Sequence, residues 1–134
     1  MRQLIDMIAE ASRPTYTLYH GTCSDVLCQT GWTPGSGPQG GNMGQTRYLY
    51  LSSGAEDALW FAEEKGCSTV LVVRDVPAEY LIVDPEDGIG DTVEDELNSP
   101  HGLPGKVALT RALGPEHFSV YGAKYSYASS HQHR

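Results

Sequence analysis

A histidine and two tyrosines occupy strand-like segments from which their side chains can reach one cleft. His20 ends an apolar run over residues 16–20, immediately before a glycine and a threonine. Residues 47–52 form a second run that carries Tyr48 and Tyr50, and alternation places these two on the same face of a strand. A neutral imidazole can donate to a ribose hydroxyl while a neighbouring group holds its other nitrogen. The spacing therefore predicts a cleft that presents one imidazole and one or two phenol rings to a ligand.

The clearest helix follows the second of these strands. Ser53 and Glu56 have the S-x-x-E spacing of a capping box, in which two side chains satisfy free amide groups at a helix start. Apolar side chains then recur on one helical face, and Gly66 favours a helix end. This helix would directly follow the tyrosine-bearing strand.

Short strands alternate with a few short helices along the rest of the chain. Strands are expected at residues 16–20, 47–52, 69–73, 80–83, 106–110 and 118–125. Helices are expected at residues 2–11, 23–30, 53–65 and 91–97. Asp91 or Thr92 would cap the last of them, and the turn-forming residues 33–46 predict a loop. This pattern predicts one α+β domain over residues 1–126, followed by a disordered tail at 127–134.

The composition is that of a globular domain. The chain has 134 residues, of which 40% are hydrophobic and 19% charged. None of its apolar runs approaches the ~20 residues that cross a bilayer, and residues 1–12 lack the apolar centre of a signal peptide. We therefore expect a cytoplasmic protein without membrane contact. In that compartment Cys23, Cys28 and Cys67 are expected to be free thiols.

Most of the negative charge is concentrated in one segment. The net charge is −8, and seven carboxylates lie between Asp84 and Glu96, in a stretch without lysine or arginine. Such a surface repels duplex nucleic acid, so direct binding to a duplex is not expected. It can instead face a basic protein surface, or it can serve only to keep the segment solvated.

Familiar metal and nucleotide motifs do not fit this sequence. Residues 35–40 match the letters of G-x-G-x-x-G, but Pro34 and Pro38 place them in a loop instead of at a helix start. The acids that follow Val83 lack the spacing of an EF-hand. The cysteines are too far apart for the paired spacing of a structural zinc site, so no metal site is expected.

Four segments, in order, resemble the ADP-ribosyltransferases of the histidine–tyrosine–acid class, which include phage-encoded and anti-CRISPR members of comparable length. The segments are LYHGT at 18–22, YLYLSS at 48–53, the helix at 53–66 and KVALTRALGPEHF at 106–118. The resemblance implies a split mixed β-sheet with two or three short helices and a cleft for NAD, which is the substrate. RNA 2′-phosphotransferases have similar segments, but nine lysines and arginines make a basic pocket for RNA hard to assemble.

The resemblance also implies roles for the residues of the cleft. His20 would bind the ribose next to the nicotinamide, and Tyr50 would stack on the nicotinamide ring, with Tyr48 as the alternative ring. The loop 33–46 would fold over the bound NAD. The implied NAD-binding residues are His20, Gly21, Thr22, Tyr48, Tyr50 and Ser52.

One position departs from the family pattern. Family members carry a glutamate at the start of the fourth segment, where this chain has Lys106. Because breaking the nicotinamide–ribose bond builds a sugar cation, as in glycoside hydrolysis, a carboxylate must come from elsewhere. Asp84, Asp91 and Glu94 are the candidates, and the sequence does not rank them.

These alternatives lead to two expected functions. With a carboxylate in the cleft, the chain would be a mono-ADP-ribosyltransferase that modifies a macromolecular acceptor, for example a protein, and acts against host defence if phage-encoded. Without one, it would be an inactive member of the fold, an inhibitor or binding module whose acidic segment contacts a basic protein partner.

Overall fold

A computed structural model describes residues 14–35, 47–98 and 103–122. The expected helix at 2–11, most of the loop at 33–46 and the expected tail lie outside the described residues. Within them the chain forms a six-stranded sheet and three short α-helices, which confirms the α+β class.

The sheet has the strand order β4-β5-β2-β1-β3-β6. Its strands are β1 (Thr15–Thr22), β2 (Leu49–Ser52), β3 (Thr69–Pro77), β4 (Leu81–Val83), β5 (Lys106–Leu109) and β6 (Phe118–Val120). The helices are α1 (Leu27–Thr30), α2 (Ala55–Glu64) and α3 (Val93–Leu97), and 3-10 turns cover Ala78–Tyr80 and Pro115–His117. Each strand overlaps a segment that the sequence predicts to be a strand.

All strand pairs among the described residues are antiparallel, which differs from the mixed sheet that the resemblance implies. The central pair, β1 with β2, is also short, since it keeps a single registered pair, Tyr19 with Ser52. By contrast, β1 pairs with β3 along its whole length, and β2 pairs with β5 over all four of its residues. The ladder between the two halves of the sheet therefore ends early, and a side chain can enter the gap beside β2.

Aliphatic side chains build the core on one face of the sheet. Leu18, Leu71 and Val73 are almost completely buried there, as expected for strands rich in branched side chains. Trp32 closes this face, because its backbone exchanges hydrogen bonds of 2.8 and 2.9 Å with Leu113. The core thus fixes β1 and β3 as the rigid base on which the cleft residues sit.

Helix α2 packs directly on β1 at a glycine. A Cβ atom on Gly21 would overlap the carbonyl oxygen of Ala58, so no other residue permits this close approach. Ala58 and Ala62 are buried at the contact, which agrees with the predicted apolar face. The glycine after His20 is therefore required by helix packing in addition to any contact with a ligand.

The predicted capping box is wrong. The N-cap of α2 is Gly54, which makes no side-chain cap. Ser53 Oγ instead accepts a 2.8 Å hydrogen bond from the amide of Gly105, which extends the β2–β5 pairing by one residue. The N-cap predicted for α3, Asp91 or Thr92, is confirmed as Thr92, because its Oγ1 accepts a hydrogen bond from the amide of Asp95 at 3.0 Å.

The expectation of three free thiols is also wrong. Cys23 and Cys67 form a disulfide, and Cys28 is the free cysteine. Cys23 directly follows β1, and Cys67 comes three residues after the end of α2, so the packing of α2 on β1 brings the two together. Their separation of 44 residues gives no signal in the sequence. In the described residues, no helix is long and apolar enough to span a membrane.

Candidate functional site

A cavity of about 300 Å³ opens on the sheet beside the gap between β1 and β2. It is lined by side chains from both strands, from α2, from the loop after β4 and from the start of β5. This volume is at the lower end of the range for ligand pockets, roughly 300–1,000 Å³, and suits a group of about nucleoside size. His20, Gly21, Tyr48, Tyr50 and Ser52 all line it.

The ring of His20 is held by the backbone of the neighbouring strand. Its Nδ1 lies 2.8 Å from the carbonyl oxygen of Tyr50, at the point where the β1–β2 ladder has ended. The imidazole thus donates to a β2 carbonyl that a backbone amide of a paired strand would otherwise bond. Because a carbonyl oxygen only accepts hydrogen bonds, Nδ1 carries the proton.

The other nitrogen of His20 has no hydrogen-bond partner among the described residues, although the side chain is only 5% exposed. Burial lowers the pKa of His20 to about 4, against the raising effect of the Tyr50 carbonyl and with a smaller lowering effect from Lys65. The imidazole is therefore neutral at pH 7, and Nε2 is an acceptor. The sequence interpretation has the ring donating to a ribose hydroxyl, whereas in the structure Nε2 can only accept a hydrogen bond from a ligand.

The two tyrosines present their rings to the cavity together. Tyr48 and Tyr50 stack edge to face, with ring centroids 6.2 Å apart. Burial raises the pKa of Tyr50, and the charges of Glu86 and Asp84 raise it further. The phenol therefore stays protonated, and its electron-rich ring lies close to carboxylates, a combination that suits a flat cationic group.

The three candidate carboxylates do not lie together. Asp84 lines the cavity, whereas Asp91 and Glu94 are exposed and are not among the lining residues. Asp84 also has a structural task, because its Oδ1 accepts from the amides of Glu86 and Asp87 at 2.8 and 3.1 Å. That turn brings both of these acids to the cavity.

Glu86 and Asp87 are cavity carboxylates that sequence reasoning missed, and Glu86 is the one whose charge acts on Tyr50. Both acids are exposed. Nothing in the sequence separates them from the neighbouring acids, because the turn capped by Asp84 decides which acids point inward.

Glu96, although counted with the acidic segment, is a buried structural residue. Its carboxylate accepts hydrogen bonds from the amides of Ile89, Gly90 and Lys106, at 2.9, 2.6 and 2.8 Å. Burial by itself would raise the pKa of Glu96, but these bonds outweigh it and the pKa is lowered. The carboxylate ties the acidic loop to the start of β5.

Lys106 brings a positive charge to the position at which the family pattern has a glutamate. It lines the cavity opposite Ser52 in the β2–β5 register. Its ammonium lies 3.8 Å from Oδ2 of Asp57, an oxygen without a hydrogen-bond partner among the described residues. The charge of Lys106 is therefore partly compensated inside the domain.

Two further sequence expectations have clear placements. Ser52 lines the cavity, and its Oγ accepts from the amide of Gly54 at 3.1 Å, so it also shapes the start of α2. Thr22 is fully buried and is not among the lining residues. Phe61 and Lys65 of the α2 segment line the cavity, and the sequence reasoning did not include them.

The described ranges contain no cluster of three or more histidine, cysteine or acidic side chains that could hold a metal ion. Comparison of the chain with protein-family models, with curated proteins and with solved structures finds no match. The geometry of the cavity is thus the basis for any functional conclusion.

Proposed function

We propose that this protein binds NAD through the nicotinamide ribose and transfers ADP-ribose to a macromolecular acceptor. The observation that carries the proposal is the buried His20 in a cavity shared with two tyrosine rings. Its Nδ1 bonds to the Tyr50 carbonyl of β2, and its Nε2 has no partner among the residues that the structure describes. A ribose hydroxyl can donate the hydrogen bond that this acceptor takes.

The two tyrosine rings would bind the nicotinamide ring, which lies at the opposite side of the riboside from the hydroxyl that His20 binds. The nicotinamide of NAD is a flat cation, and it is favoured over an electron-rich phenol ring. Tyr50 would form the stacking surface, and Tyr48 would support it from its edge. The ribose and the nicotinamide would then be held by neighbouring strands on either side of the gap.

Transfer breaks the bond between the ribose C1′ and the nicotinamide nitrogen. The bonding electrons leave with nicotinamide, which becomes neutral, and positive charge develops on C1′ and the ring oxygen. A nucleophile of the acceptor then bonds to C1′ and loses its proton to a base. Glu86 fits the role of stabilising the cation, because it lines the cavity and its charge acts on Tyr50, the ring proposed to stack on the nicotinamide.

The proposal is tested by the release of nicotinamide from NAD and by the intact mass of acceptor proteins. The informative variant is His20→Asn, because its amide can still donate to the Tyr50 carbonyl but offers nothing at the position of Nε2. We expect this variant to lose both transfer and nicotinamide release by about 100-fold. Equal modification by wild type and variant would remove His20 from the mechanism.

A second function is favoured by the outer surface of the acidic segment. Besides the buried Asp84 and Glu96, its remaining carboxylates are exposed, and in the sequence they flank Ile89, which is 66% exposed. The exposed acids are Glu86, Asp87, Asp91, Glu94 and Asp95. Such a surface suits a basic protein partner with a small apolar contact.

The binding function predicts salt-sensitive affinity that survives the loss of His20. Replacing Asp91, Glu94 and Asp95 by serine should weaken partner binding at low salt, whereas Glu96 must be kept because it holds the loop. Unchanged affinity after this replacement would rule the function out.

A further inference from the structure

Two lysines line the cavity, and they differ in what surrounds them. Lys106 has the carboxylate of Asp57 at 3.8 Å. No carboxylate oxygen of the described residues lies within 4.0 Å of the Lys65 ammonium, whose hydrogen bond goes to the carbonyl oxygen of Gly21 at 3.4 Å. Lys65 is therefore a cavity cation without a neighbouring anion.

The surroundings of Lys65 place its charge beside the histidine. Lys65 contributes to the lowering of the pKa of His20, and burial lowers the pKa of Lys65 itself. The acids of the cavity act on Tyr50 instead. In the strand order, these acids approach from the β4 side, where Lys106 of β5 also lies, whereas Lys65 approaches from the β1 side. Lys65 is therefore the lining cation on the β1 side among the described residues.

The backbone of Lys65 is held at the end of α2. It is the C-cap of α2, and its own amide bonds to the carbonyl of Ala62 at 3.0 Å. Two residues later, Cys67 is joined to Cys23 by the disulfide. Lys65 lines the cavity while the residue as a whole is exposed, so its side chain reaches from solvent to the mouth of the cavity, where a ligand group that extends toward solvent would pass.

We propose that Lys65 forms a phosphate subsite at the mouth of the cavity. There it binds the 5′-phosphate of the ribose whose hydroxyl donates a hydrogen bond to Nε2 of His20. The identity of the ribose rests on the proposed function, whereas the anion subsite rests on Lys65 itself. An ammonium binds phosphate as a point charge with several donors. The subsite would orient a nucleotide with its phosphate outward and its nicotinamide toward Tyr50.

The test compares two ligands that differ by one phosphate, nicotinamide mononucleotide and nicotinamide riboside, by calorimetric titration. The proteins are wild type, Lys65→Gln and Lys106→Gln, each checked for an unchanged melting temperature. We expect Lys65→Gln to weaken mononucleotide binding about tenfold and riboside binding by less than about twofold. Lys106→Gln should affect the two ligands equally, because Lys106 already has a carboxylate neighbour.

Three results would overturn parts of the account separately. Equal mononucleotide affinity in wild type and Lys65→Gln contradicts the subsite and leaves the proposed function standing. A phosphate-specific loss in Lys106→Gln alone also contradicts it. If neither nucleotide binds the wild type, inorganic pyrophosphate is titrated: binding that depends on Lys65 keeps the subsite and rejects the NAD proposal, and no binding rejects both.

Discussion

At the scale of single residues, His20 combines a structural and a functional task in one ring. Nδ1 replaces a ladder donor beside β2, and this bond fixes the tautomer that leaves Nε2 as an acceptor. The same burial that holds the ring also keeps it uncharged, with a pKa of about 4. A neutral acceptor beside Lys65 suits a hydroxyl of a phosphorylated sugar better than it suits proton transfer near pH 7.

The low pKa of His20 predicts a pH-dependent stability. Because the pKa is about 4 in the folded state and 6.5 in the reference state, the unfolded chain binds more protons between these values. Stability is therefore complete above pH 6.5 and is lost as the pH falls toward 4, by about 3 kcal/mol from this residue. Denaturant unfolding at several pH values measures it. His20→Asn should reduce the slope of stability against pH between pH 4 and 6.5; equal slopes in wild type and variant would contradict the assignment.

The proposed catalytic carboxylate, Glu86, gives a second prediction at this scale. Glu86→Gln should slow nicotinamide release about 100-fold, because the amide keeps the shape of the side chain and loses the charge near the sugar cation. Glu94→Gln removes an equal charge from the same segment, away from the cavity, and should change the rate by less than about twofold. The measurement is turnover of NAD under saturating conditions. A large loss in Glu94→Gln with an active Glu86→Gln would reverse the assignment.

Sequence reasoning reached several of these residues and missed others for physical reasons. His20 and Tyr50 could be paired because strand ends and turn residues are local signals. Glu86 could not be chosen over its neighbours, because the direction of each acid depends on the turn that Asp84 caps. The burial of Glu96 could not be predicted either, because the amides that bond its carboxylate come from the acidic loop and from β5.

At the scale of elements, the contact between α2 and β1 determines the shape of the cleft. Gly21 lets the helix approach, and the helix then contributes Phe61 and Lys65 to the cavity. The helix was predictable from its apolar face, but its start was not, because Ser53 bonds to Gly105 instead of capping it. The disulfide between Cys23 and Cys67 locks the far end of the same contact.

The disulfide gives a prediction for this element pair. Closing a loop of about this length stabilises a fold by about 4 kcal/mol in the chain-entropy description. Cys23→Ser should therefore lower the free energy of unfolding by several kcal/mol and weaken nucleotide binding, since the segment that carries Lys65 loses its anchor. Cys28→Ser, which removes the free thiol, is the matched control. Identical unfolding curves for wild type and Cys23→Ser under oxidising conditions would show that the bond does not support the fold.

At the scale of the whole molecule, the sheet is held together by its β1–β3 and β2–β5 pairings and divides between β1 and β2. The class of the fold was predictable from alternating short strands and helices. The place of the division was not, because it follows from a register that stops after Tyr19 and Ser52. The division matters for function, since it admits the imidazole and opens the cavity beside two tyrosines.

The charge of the molecule is organised around this cavity. Acids approach it from the loop after β4, and Lys65 approaches it from the end of α2. The disulfide is of a kind that persists in oxidising surroundings, so the redox state of Cys23 and Cys67 in the native setting decides how firmly the lysine is held. The cytoplasmic location stays a prediction.

The central claim is that the cavity binds NAD through His20 at the ribose and Tyr50 at the nicotinamide ring. It is tested most directly by calorimetric titration of NAD into wild type, His20→Asn and Tyr50→Leu. We predict saturable binding to the wild type at one site, with the affinity lowered about tenfold in each variant while the melting temperature is kept. Absence of binding to the folded wild type at millimolar NAD, or equal affinity in all three proteins, would contradict the account.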